Sequence, residues 1–143
     1  MSRRPSRSLR QRTFVRANFC CEYCYSQFRF SPDPINAEHI EPYSLGGETI
    51  FSNLAAACFG CNGKKAGHIS ALDPLTNQIV PLYHPRRDRG ETHFRWSDDF
   101  QLLIGITPTG RATVDLLDLN RAGVVNLRIL LRIHNLHPPK PIN

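Results

Sequence analysis

Cys58-Phe59-Gly60-Cys61-Asn62-Gly63-Lys64-Lys65, with Cys21-Glu22-Tyr23-Cys24 upstream of it, decides the fold of this chain. Two thiolates separated by two residues on a tight turn can reach one tetrahedral Zn(II) ion, and two such pairs fill its four positions. Cys21, Cys24, Cys58 and Cys61 are therefore the predicted ligands of a structural zinc. Gly60 and Gly63 ease the turn that the second pair needs. A closed four-cysteine site leaves no position for water, so the metal contributes folding free energy and any catalysis must come from other residues. A disulfide framework or a thioredoxin-like redox pair fits less well. Five cysteines is an odd count, no signal peptide precedes them, and no βαβ pattern surrounds either pair. Cys20 adjoins Cys21 and can in principle replace it, but the two-residue spacing favours Cys21 and leaves Cys20 as a buried free thiol.

A chain of 143 residues fits one domain with a modest core that a metal would reinforce. No apolar run approaches the length that crosses a bilayer, and the arginine-rich start leads into no apolar segment, so a cytoplasmic protein is expected. The net charge of +6 is unevenly placed. Arg3, Arg4, Arg7, Arg10, Arg12 and Arg16 all precede the first acidic residue, Glu22, and the other cations match the twelve carboxylates. Such a basic arm attracts DNA or RNA in a salt-dependent way with little sequence preference, or else serves as a solubilising tail.

Along the chain, Ser8 can cap a helix running to about Phe19, with Asn18 able to end it in the left-handed conformation. Residues 31–36, rich in proline, read as a loop, followed by a short strand at 37–40 that Pro42 ends. Leu45-Gly46-Gly47 supplies a turn before a second strand at 50–57. A short helix begins near Cys61 or Asn62 and is soon interrupted by Gly67. Further on, residues 78–83 and 101–106 read as strands. Pro108-Thr109-Gly110 reads as the turn of a hairpin into 112–116. Asp118 or Asn120 then caps a helix to about His134. Val124, Leu127, Leu130 and Leu131 form one apolar stripe of that helix, and Val125, Ile129 and Ile133 a second, with Arg121, Arg128 and Arg132 between them. Two stripes predict two packing partners, and the arginines face either phosphates or water. Residues 137–141 are expected to form an extended tail.

Ala37-Glu38-His39-Ile40-Glu41-Pro42, Gly46-Gly47, Asn53-Leu54 and Cys58 to Lys65 together resemble the HNH endonuclease motif, over about residues 21–66. The stretch from His93 to Trp96 and on through Leu119 to Arg121 is also similar to the tail of small stand-alone HNH proteins. The resemblance implies an α+β protein with a ββα-metal core stapled by the four-cysteine zinc site, an N-terminal helix, and a C-terminal hairpin plus helix. It divides as a basic arm over 1–16, the zinc-stapled core over 17–70, and a C-terminal part over 71–143 packed on that core.

The implied activity is hydrolysis of nucleic-acid phosphodiesters, of DNA ahead of RNA, with one catalytic divalent metal, Mg2+ or Mn2+. His39 is then the general base, since an imidazole titrating near neutrality can take a proton from the attacking water. Glu38 and Asn62 are implied as ligands of the catalytic metal, an oxygen donor suiting a hard cation. Either Glu38 or Glu41 is the carboxylate that binds it, directly or through water. Strict strand alternation puts Glu38 and His39 on opposite faces, so both serve only if the strand end bends. Asn53 matches the central asparagine that positions the histidine loop. Arg3, Arg4, Arg7, Arg10, Lys64 and Lys65 are the expected nucleic-acid contacts. The alternatives are a zinc-dependent nucleic-acid-binding module without catalysis, or a subunit of a larger nuclease assembly, with a homodimer or partner protein docked through the C-terminal helix.

Overall fold

The computed structural model describes residues 4–140, so Arg3 of the predicted contact set and residue 141 of the predicted tail lie outside the described residues. Helix α1 spans Arg7–Arg16 and begins two residues earlier than the sequence led us to expect. Its cap is Ser6, whose hydroxyl accepts from the Leu9 amide at 3.1 Å, and not Ser8. Asn18 and Phe19 both take positive φ and carry the chain out of the helix into the first cysteine pair. Arg16, at the last turn, is a structural group and no free arm residue. Its guanidinium donates to the carbonyls of Phe51 and Leu54 and stacks 3.8 Å over the Phe51 ring.

Strand β1 (Ile35–His39) pairs antiparallel with β2 (Leu54–Cys58), placing Glu38 opposite Ala55 and His39 opposite Leu54. The strand therefore starts inside the expected loop, and a short 3-10 turn at Phe51–Asn53 replaces the start of the expected second strand. All five residues of β2 are buried. Three successive alanines let it lie between two layers: Ala56 packs with Phe14 and Ala17 beneath α1, whereas Ala55 and Ala57 face the main core with Tyr23, Ile40 and Leu117. Helix α2 (Phe59–Lys65) follows without a loop, carries Cys61 and Lys65 inward, and ends at Ala66, whose φ of +47° closes it before Gly67.

Strands β3 (Ser70–Leu72) and β4 (Ile79–Pro81) form a second two-stranded antiparallel sheet. After the short helix α3 (Gly90–His93), β5 (Phe94–Trp96) pairs with β6 (Leu103–Gly105) as a third. The C-terminal hairpin thus joins β5 to β6, and the expected pairing of 101–106 with 112–116 is corrected, because residues Pro108–Leu117 are helix α4. Thr107 caps it by accepting from the Gly110 amide at 3.0 Å, and Pro108 occupies the first turn, where its missing N–H costs nothing. Gly110 serves packing and not a turn, since a Cβ there would stand 2.1 Å from the His93 carbonyl oxygen. Helix α5 (Ala122–Ile133) follows, capped by neither Asp118 nor Asn120 but preceded by Arg121. Asn120 instead brackets β6, accepting from the Leu103 amide and donating to its carbonyl.

One apolar side of α5 enters the core through Val124 and Leu131, joined there by Arg128, while Ile129, Leu130 and Ile133 stay exposed. Arg128 is not a solvated or phosphate-facing arginine. It is buried, donates to the carbonyls of Cys24, Leu119 and Gln101 and to Asn120 Oδ1, and lies 5.0 Å over Trp96. Arg132 covers the Phe100 ring at 4.0 Å. Nor is the terminal segment a free tail at its start, because His137 is buried, with its ring edge-on to Trp96 and bonded to the Phe100 carbonyl.

Candidate metal centre and catalytic cleft

The sulfurs of Cys21, Cys24, Cys58 and Cys61 all lie within 4.8 Å of one another in a buried group. Cys24 and Cys58 are 3.7 Å apart, close to the edge of about 3.8 Å that a tetrahedron of Zn–S bonds near 2.3 Å requires. The donor set, four soft sulfurs and no oxygen, fits zinc. Hydrogen bonds from Cys21, Cys24 and Cys61 pull the Cys58 thiol strongly down, whereas burial pushes Cys21 up. Cys20 stands outside the group, with its thiol pushed up to about 11 by burial.

Around the sulfurs lies a polar shell that sequence reasoning did not find. Ser26 Oγ is 3.1 Å from Cys24 Sγ, and Arg121 donates to Cys58 Sγ at 3.2 Å and to Cys61 Sγ at 3.5 Å. Gly60 carried a faint signal for this, since only a residue without Cβ leaves room for the Arg121 guanidinium over the knuckle.

The same ββα unit places Glu38, His39 and Asn62 on one open cleft, together with Arg4, Arg10 and Tyr43. Glu41 does not line it. His39 is half-buried at the end of β1, and its Nε2 lies 2.8 Å from Thr49 Oγ1. Burial first, and the Lys65 charge second, lower its pKa, so the imidazole is neutral at neutral pH. Thr49 comes from the loop that Asn53 holds shut. The Asn53 side chain accepts from the Glu41 amide and donates to the carbonyls of Glu41 and Glu48, while the Ile40 amide donates to the Asn53 carbonyl. Gly47 allows the same closure, because a Cβ there would stand 1.8 Å from the Glu41 carbonyl oxygen.

Glu38 points the other way from His39, as alternation along β1 dictates. It is buried, accepts from the Tyr23 hydroxyl, and forms an ion pair with Lys65 at 3.2 Å. Burial raises its pKa, against the opposing pull of Lys65 and Tyr23. Lys65 as a nucleic-acid contact is thereby corrected: it is 2 % exposed and donates to Glu38 and to the Ile40 carbonyl, with no face left for a phosphate. Lys64 is exposed, as are Arg4 and Arg7, and Arg10 is half-buried against Phe14. Of these cations, Arg4 and Arg10 line the cleft.

Residues 21–67 match the family model described as HNH endonuclease, and the chain thus carries an HNH domain with a four-cysteine cluster suited to zinc. It is 29% identical over 107 residues to Septu protein PtuB of Bacillus thuringiensis, a match over 73% of this chain and 38% of that protein. It is also 30% identical over 86 residues to Septu protein PtuA of Bacillus mycoides (strain KBAB4), over 53% of this chain and 12% of the relative. The chain therefore spans well under half the length of both relatives. No solved structure matches it. Among the described residues no helix is long and apolar enough to cross a membrane.

Proposed function

We propose that this chain is a metal-dependent endonuclease that hydrolyses phosphodiester bonds of DNA, with His39 as general base. The observation that carries the reading is the cleft itself: a half-buried, neutral imidazole opens onto a surface shared with Asn62 and two arginines, and Glu38 borders it with its carboxylate turned inward to Lys65. In the tautomer whose Nε2–H donates to Thr49, Nδ1 holds the lone pair that accepts the proton of the attacking water. That water's oxygen bonds to phosphorus as the bond to the leaving oxygen breaks. Arg4 and Arg10 hold flanking phosphates by charge, with Arg7 and Lys64 extending the basic surface outside the cleft. Asn53 keeps the loop bearing Thr49 in register and touches no reacting atom.

A hard divalent cation, Mg2+ or Mn2+, fits Glu38 and Asn62 by donor chemistry. Each Glu38 oxygen has one protein partner and keeps a second lone pair, and Mg2+ accepts few protein ligands beside water and phosphate oxygens. When bound, it supplies charge stabilisation at the phosphate and the leaving oxygen.

A second reading, a non-catalytic zinc-dependent nucleic-acid-binding subunit of a larger assembly, draws on the closed ion pair at Glu38 and on exposed Ile129, Leu130 and Ile133 of α5, which suit a second copy or a partner protein. Supercoiled plasmid with added Mg2+ or Mn2+ separates the two. The wild type is expected to nick or linearise it, and His39→Ala, with its zinc retained, to lose about 100-fold or more. Equal inactivity of both proteins, with DNA binding intact, would favour the second reading.

A further inference from the structure

Four thiolates around Zn(II) make a dianion buried in a mostly apolar core, and such a charge needs partners. Two cations bond to the cysteine residues of this group, and both come from the C-terminal half of the chain. Arg121 donates through two different nitrogens to Cys58 and Cys61 Sγ, one ligand from each end of the second knuckle. Arg128, two turns along α5, donates to the Cys24 carbonyl from a buried position. Gly60, between Cys58 and Cys61, leaves the space that the Arg121 guanidinium fills; a Cβ there would stand 2.6 Å from Nη2.

We propose that Arg121 is an outer clamp of the zinc centre, and that its pair of N–H···S bonds latches α5 to the knuckle so that metal retention and helix docking are one equilibrium. The proposal rests on the zinc assignment and not on the nuclease reading. The reasoning is reciprocal. If the thiolate charge holds Arg121, then Arg121 stabilises the metal-bound set of sulfurs against loss of metal by the same free energy. The consequence reaches the core of the C-terminal half, because the chain from Arg121 leads directly into Val124, Arg128 and Leu131.

The experiment uses the full chain loaded with one zinc, mixed with a chromogenic chelator under native conditions. Arg121→Met is expected to hand over its zinc about 10- to 100-fold faster than the wild type. Gly60→Ala, which keeps the arginine but displaces its guanidinium, should move the same way. Arg121→Lys, keeping the charge but not the two-pronged donor, should fall between. Trp96, the chain's single tryptophan, lies under Arg128, so its emission should shift as zinc leaves the wild type. Transfer rates within about twofold of wild type in both Arg121→Met and Gly60→Ala would overturn the clamp. Unchanged Trp96 emission on zinc withdrawal would overturn the latch, and a wild type purified without a zinc equivalent would remove the premise while leaving the nuclease reading to its own assay.

Discussion

Lys65 Nζ lies 3.2 Å from Glu38 Oε2, with the two side chains 2% and 4% exposed, and this ion pair joins strand β1 to helix α2. The ammonium also donates to the Ile40 carbonyl at 2.8 Å, so it anchors the chain where it leaves the strand just past His39. Removing one member of a buried pair strands the other, at about 3–5 kcal/mol. Lys65→Met should therefore destabilise the zinc-loaded protein by roughly that amount in urea unfolding. The double variant Glu38→Gln with Lys65→Met should recover most of it, short of about 1 kcal/mol for the carbonyl left without a donor. A Lys65→Met protein as stable as wild type would show that the pair is not formed.

Asn53 and Gly47 close the loop between β1 and β2 from its two sides, one by hydrogen bonds and one by leaving room. Asn53→Ala orphans the Glu41 amide and the carbonyls it served, at about 1–3 kcal/mol. Gly47→Ala forces the backbone away from the Glu41 carbonyl. Both variants should keep their zinc, since no cysteine ligand belongs to the loop, yet lose about 100-fold in plasmid nicking because Thr49 and His39 no longer share one geometry. Normal nicking by Gly47→Ala would show that the loop has room to give.

The four-cysteine cluster and the ββα unit were legible because their determinants are short-range: two Cys-x-x-Cys turns, a proline stop after β1, and Gly46-Gly47. Glu38, His39 and Asn62 do line one cleft, though alternation turned the Glu38 carboxylate toward Lys65. What escaped was set by partners distant in sequence. Lys65 and Arg128 read as surface cations because nothing near them announces the carbonyls of Ile40, Cys24 and Gln101 that receive their protons. Pro108-Thr109-Gly110 read as a turn because the same three residues suit a helix start, and only the approach of His93 shows why the third is glycine. Arg121 was taken for a member of a charged stripe, although its partners are the sulfurs of Cys58 and Cys61.

Away from the metal centre, Asp73 accepts both Nε and Nη2 of Arg111 at 2.9 Å, the Thr76 hydroxyl and the Leu75 amide. Hydrogen bonds from Arg111 foremost hold its carboxyl well below the ordinary carboxylate range. A carboxylate with a depressed folded pKa contributes stability above its unfolded value, near pH 3.9, and loses it as pH falls through the folded value. Asp73→Asn should therefore be less stable than wild type at pH 7, and the gap should narrow as the medium is acidified below about pH 4. Urea unfolding of both proteins across that range checks it, with acid loss of zinc common to both. A gap that stays constant with pH would assign the difference to shape and not to charge.

His39 and Thr49 set the pH range of the proposed reaction. The base is the neutral imidazole, and burial with Lys65 nearby lowers the pKa from 6.5, so the rate should be full above that lowered value and fall only as pH drops through it. The acid limb of kcat/KM for plasmid cleavage is expected below pH 6.5, the ordinary histidine position. Thr49→Val removes the group 2.8 Å from Nε2 and frees the ring to rotate and change tautomer. Its kcat should drop by about 10- to 100-fold with KM unchanged, the scale of a misplaced general base, while Thr49→Ser retains most of the rate. If Thr49→Val turns over at the wild-type rate, the ring is oriented by other groups and Thr49 is no part of the machinery.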